Sequence, residues 1–282
     1  MNPALYAALF ATISGAFGGL PPDDAAIQAA GLKRQAVADV PAKQIEVFID
    51  KDDAYSGLVL KALPAFAGVG RGIFGKDIPL IRLFLMSDED RYRAFTKAIF
   101  GQELPAGTGN FHVVTMCLSC EKRRPEETET TAVVLHEFGH AWLNTYLKEK
   151  YDRDYLSDEI RRPYLDEGMA DFIAGRWDGD FLNRRRQMIR EFKISRGVRP
   201  PDIGELQSYS SFYDKGDREL HYWISALLIE RMLGPTPNAG RKIPRYLDLI
   251  GQGKTPEQAW ELATGKSIAA EYAALVRELW RN

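Results

Sequence analysis

In the stretch LHEFGHAWLN (135–144), His136 and His140 stand four positions apart, with Glu137 directly after the first. On an α-helix, residues four apart project about 40° from each other around the axis, so both imidazoles can offer a ring nitrogen to one ion. Glu137 is rotated by about 100° and reaches a water on that ion rather than the ion itself. Two metal ligands and a general base on one helix are what a zinc hydrolase needs. A catalytic zinc takes three protein ligands and keeps its fourth position for water, so this reading calls for a third ligand downstream.

YLDEGMADFIAG (164–175) offers one. Leu165, Met169, Phe172 and Ile173 form an apolar helical stripe, while Glu167 and Asp171 lie one turn apart on another face. Gly168, Ala170 and Ala174 beside them let a second helix come close, as a metal site between helices requires. Glu167 is the expected third ligand. Asp171 is expected to accept a hydrogen bond from a ligand histidine's other nitrogen and so fix its tautomer. The alternative is a solvent-facing acidic helix that merely follows a histidine-bearing one.

HEFGHAW followed by DEGMAD resembles the gluzincin branch of zinc metallopeptidases, the thermolysin and aminopeptidase N group, and within it the peptidase MA-like domains. The resemblance extends over about residues 43–282. It implies zinc ligands His136, His140 and Glu167, one catalytic Zn2+, Glu137 as general base, and Asp171 behind a ligand. It also implies a donor to the developing oxyanion from the helical half. Tyr209, Tyr213, His221 and Tyr222 in YSSFYDKGDRELHYW are the choices, with Tyr222 favoured because it heads the apolar helix WISALLIERMLG. By the same resemblance FHVVTMCLS (111–119) borders the cleft and pairs with an extended substrate. His112 on it reads as an ordinary strand histidine, with substrate contact as the alternative. The separation of Glu167 from His140 (167 − 140 = 27 positions) exceeds that of thermolysin-like enzymes. The excess falls in YDRDYLSDEIRRP (151–163), which reads as a surface insertion.

These residues need a scaffold. IEVFI (45–49), IPLIRLFLM (78–86) and FHVVTMCLS read as strands. Helices are expected over 52–66, over 87–100 with Ser87 as N-cap, and from about 125 to 150. After residue 163 the pattern is helical almost throughout, ending in TPEQAWELATG with Thr255, Pro256 and Gln258 as cap, first-turn proline and capping-box partner. The fold class is therefore α+β and zincin-like: a small mixed sheet packed on the HExxH helix, then a helical C-terminal lobe. Residues 1–42 read as an apolar segment and connector, 43–177 as sheet and active-site helices, and 178–282 as the lobe.

The 282 residues carry 45% hydrophobic and 27% charged side chains and a net charge of −2, giving no general pull toward nucleic acid or an anionic membrane. The basic run from Arg184 to Arg199 reads as a solvated helix face, with an acidic partner as the alternative. Residues 1–20 contain no charged side chain, which fits an export signal, an anchor or a buried helix. Export to the periplasm or outside is one expectation and a cytoplasmic protein the other; membrane association follows only from an uncleaved anchor. No other segment reads as apolar enough to cross a bilayer. Cys117 and Cys120 read as a local disulfide or two free thiols. The expected function is a zinc metallopeptidase acting on peptide or protein. The alternatives are a zinc-stabilised binding domain with little turnover and a zinc hydrolase of a non-peptide amide.

Overall fold

IEVFI and IRLFLM are almost uninterrupted apolar runs, the pattern of strands covered on both faces. In the computed structural model they are inner strands of a five-stranded sheet. The structure describes residues 24–41, 43–51, 54–104, 107–117, 127–155, 157, 159–176, 180–214, 217–234 and 239–281. The expectations for residues 1–20 and for Cys120 lie outside them. Cys117 is disulfide-bonded.

In chain order the elements are α1 (Asp24–Ala29), β1 (Lys33–Gln35), β2 (Ile45–Ile49), α2 (Ala54–Phe74), β3 (Ile81–Met86), α3 (Glu89–Phe100), β4 (Gly107–Asn110), β5 (Val113–Cys117) and α4 (Glu127–Tyr151). Then come α5 (Pro163–Ala174), α6 (Phe181–Arg196), α7 (Ile203–Gln207), α8 (Tyr209–Asp214), α9 (Arg218–Leu233), α10 (Lys242–Gly251), α11 (Pro256–Thr264) and α12 (Ile268–Trp280). The strand order is β1-β2-β3-β5-β4. β2, β3 and β5 run parallel, with Ile45 opposite Ile81 and Leu83 opposite Val114, while β1 and β4 are antiparallel to their neighbours. The fold is mixed α+β, as the sequence implies.

One apolar cluster joins the sheet to α2, α4 and the C-terminal helices, from Ile45 through Phe66, Trp142 and Ile229 to Leu279. A second, including Ile27, Phe84, Tyr92 and Phe95, packs α1 and α3 on the sheet's other face. The connector before residue 43 thus contributes β1 and buried Ile27 and Leu32 to the fold.

Several boundaries differ from expectation. Helix α2 continues eight residues past 66, through three glycines, because Ile73 and Phe74 are buried and Phe74 packs on Trp142 and Tyr146; tertiary packing outweighs local propensity. The stretch Tyr55–Asp77 is also long and apolar enough to cross a membrane by composition, with 44% of that window buried. Val59, Leu63 and Phe66 on it are core residues. Asp88, not Ser87, caps α3: its side chain accepts from the Arg91 N–H at 2.9 Å, while the Ser87 N–H donates to Asp50. Thr255 caps α11 with Gln258 closing the capping box, as expected; Gly265 ends that helix in the left-handed region, and the Ser267 side chain caps α12.

Candidate metal centre

Helices α4 and α5 carry the chemistry, and small residues let them meet. A side chain on Gly139 would come within 2.9 Å of the Ala170 Cα, and one on Gly168 within 2.7 Å of the Ser225 carbonyl oxygen. Ala170 therefore faces α4, while Gly168 seats α5 against α9.

This packing brings His136, His140 and Glu167 into a buried group that could hold a metal ion. The two Nε2 atoms are 3.0 Å apart, and each is 3.2 Å from Oε2 of Glu167. Each histidine has a carboxylate behind it. His136 Nδ1–H donates to Asp171 Oδ1 at 2.8 Å, and His140 Nδ1–H to Asp166 Oδ1 at 2.9 Å. An ionised carboxylate only accepts, so in neutral imidazoles both Nδ1 atoms carry the hydrogen and both Nε2 lone pairs face the same point. Three lone pairs this close repel unless a cation sits among them. Zinc bonds of ~2.0–2.1 Å at tetrahedral angles would separate neighbouring ligand atoms by about 3.3–3.4 Å, a few tenths beyond the separations found.

Charge supports the same fit. Among the described residues, every buried carboxylate or guanidinium belongs to this cluster: Glu137, Asp166, Glu167, Asp171, Arg161 and Arg185. Four negative groups and two positive ones leave two negative charges, which one dication balances. Without it the imidazoles hold the protons. Burial disfavours the charged ring, yet the hydrogen bonds to Asp171 and Glu167 raise His136 to about 9. His140 is likewise driven up, as Asp166 and Glu167 outweigh its burial. Glu167 is held well below the carboxylate range because the two histidines overcome its desolvation.

Glu137 is buried beside the triad, and desolvation raises its carboxyl above the usual range. The Gly109 N–H on β4 is a hydrogen-bonding neighbour of that carboxylate, and a side chain at 109 would overlap the Glu137 carbonyl oxygen. Only glycine lets this strand lie so close to the helix.

Three partners escaped the sequence reading. Asp166 was within reach, since a demand for one Nδ1 acceptor per ligand histidine would have selected it in LDEGMAD. Arg161 and Arg185 were not. Arg161 Nε donates to Asp166 Oδ2 at 3.0 Å, and Arg185 Nε lies 3.7 Å from Asp171 Oδ2. Arg161 comes from the segment read as a surface insertion; instead Tyr155, Ile160 and Arg161 are buried, tying that segment to the core.

The tyrosines are sorted by position. Tyr213 donates its hydroxyl to Glu167 Oε1, and Arg161 Nη2 lies 3.4 Å from the same hydroxyl. Tyr222, the favoured residue, stands with its ring 6.3 Å from that of Tyr213 and has Arg218 as a hydrogen-bonding neighbour. The Tyr209 ring is tilted against that of Tyr213, 4.5 Å between centres, under the Arg161 guanidinium. His221 Nδ1 instead bonds the Phe212 carbonyl at 2.9 Å. His112 lies in the β4–β5 turn at φ 50°, with Nδ1 on the Leu80 carbonyl and its N–H on Thr145. Strand β5 is paired on both sides, by β3 and β4, so it has no edge for a substrate; β4 is the terminal strand.

No protein-family model matches the chain, and comparison with curated proteins and with solved structures gives no significant match.

Proposed function

We propose that the chain is a zinc-dependent metallopeptidase of the gluzincin type, hydrolysing peptide bonds. The observation that carries this is the convergence of the His136, His140 and Glu167 lone pairs with the Glu137 carboxylate buried beside them. His136, His140 and Glu167 would hold the zinc, which supplies Lewis acidity that polarises a carbonyl and acidifies water.

Glu137 takes the proton from the attacking water and returns it to the leaving amine. Its raised carboxyl pKa makes it a stronger base than an exposed glutamate. Tyr213 is the donor we assign to the developing oxyanion. Burial, reinforced by Glu167, pushes its hydroxyl pKa well above 10.0, so it stays protonated, and its one hydrogen, given to Glu167 Oε1 in the resting site, would turn to the oxyanion as charge develops there. An extended substrate would add to the outer edge of β4, beside Glu137, by main-chain hydrogen bonds.

The test is Glu137→Gln against wild type, each loaded with zinc and given a broad peptide library. The variant should bind about one zinc per chain, as wild type does, and lose nearly all cleavage. Equal cleavage by the two proteins would overturn the assignment, as would failure of wild type to bind zinc.

A further inference from the structure

Arg218 lies over the Tyr213 ring and has Tyr222 as a hydrogen-bonding neighbour, but among the described side chains it makes no salt bridge. Its Nε and Nη2 are buried and have no hydrogen-bond partner. The adjacent Asp217 is engaged by Arg196 at 3.4 Å. Buried donors are ordinarily satisfied, and a half-buried charge with no partner costs stability.

Local structure does not call for an arginine here. Arg218 is the first residue of α9, where the helix dipole disfavours positive charge. The Asp217 side chain makes no capping bond to the first turn of α9. A guanidinium and an uncapped helix N-terminus together favour an anion.

The place of this pair gives it a role. The guanidinium carbon lies 5.6 Å from the ring centre of Tyr213, whose hydroxyl donates to Glu167, and Arg218 also neighbours Tyr222. It is thus one side chain removed from the metal triad. Nε and Nη2 lie on one edge of the guanidinium plane, the fork that grips both oxygens of a carboxylate.

We infer that Arg218 binds a carboxylate of the substrate and holds it beside the metal centre, so that the enzyme selects peptides carrying a negative charge there. The inference rests on the peptidase reading for its substrate, and that charge is either the C-terminal carboxylate or an acidic side chain.

The test uses the full chain, zinc-loaded, with Glu137→Gln to stop turnover. Three N-acetylated peptides are titrated: an alanine tripeptide with a free C-terminus, its amide, and an amide with one alanine replaced by glutamate. At least one carboxylate peptide should bind about tenfold or more tighter than the neutral amide, the scale of a charge-assisted hydrogen bond. The tighter of the two identifies the source of the charge. Arg218→Gln should erase the preference, and Arg218→Lys should keep part of it, retaining the charge but not the fork. Equal affinity for all three peptides, absence of binding, or a preference surviving Arg218→Gln would overturn the inference. Cleavage of the same peptides by the Glu137 enzyme is read separately. Cleavage with no carboxylate preference removes this inference and leaves the peptidase; Arg218-dependent binding with no cleavage does the reverse.

Discussion

Tyr213 donates its hydroxyl to Oε1 of Glu167, which leaves Oε2 as the oxygen facing His136 and His140. Arg161, 3.8 Å from Oε1, reinforces the division. A carboxylate held this way offers one oxygen to a metal and keeps a coordination position free, as a catalytic zinc site requires.

Replacing Tyr213 by phenylalanine should lower kcat by about 10²–10³ with little change in KM, as loss of one oxyanion donor does. Zinc content should hold, since all three ligands remain. Tyr222→Phe should cost much less. Steady-state kinetics on one peptide decide between them, and a kcat loss confined to Tyr222→Phe would return the role to the residue the sequence favours.

Asp166→Asn and Asp171→Asn should each weaken zinc by roughly 10–100-fold, the usual effect of losing a ligand's carboxylate partner. They should differ in stability. Arg161 makes a direct 3.0 Å bond to Asp166, whereas Arg185 stands 3.7 Å from Asp171. The Asp166 variant, which leaves a buried guanidinium without its partner charge, should therefore show the larger drop in Tm. Chelator competition and thermal melts measure the two effects.

The metal-free protein should lose stability as pH rises. His136 is raised from its ordinary 6.5 to about 9 in the fold, its carboxylate hydrogen bonds outweighing burial. The resulting stabilisation is fully present below pH 6.5 and fades as pH passes through about 9. Zinc takes the same lone pairs, so the rise in Tm on adding it should grow across that window. A zinc-induced shift that is flat or shrinks between those pH values would contradict the assignment.

Gly168→Val should separate α5 from α9, since its Cβ would stand 2.7 Å from both the Ser225 carbonyl oxygen and Ile229 Cγ1. Overpacking of this kind costs about 1–3 kcal/mol. Because Glu167 is the neighbouring residue, zinc affinity should fall with stability. Denaturant melts and zinc titration of the same variant test the link.

The sequence by itself determined the candidate metal set, the group His136, His140 and Glu167 that could hold an ion, and its helices. His136 and His140 lie one turn apart, as do Glu167 and Asp171, so helical periodicity alone puts each pair on one face, with Glu137 about 100° round from the histidines. The inner strands and the C-terminal caps were legible for the same reason: their signals span a few residues. Strands β1 and β4 were not, because KRQ is short and polar and GTGN is glycine-rich, and only pairing with β2 and β5 makes them strands. Tertiary structure alone decided that β4 rather than β5 ends the sheet, that Tyr213 rather than Tyr222 reaches Glu167, and that Arg161 and Arg185 stand behind the two aspartates. Those relationships join residues on separate elements, where no repeat distance along the chain fixes which side chains meet.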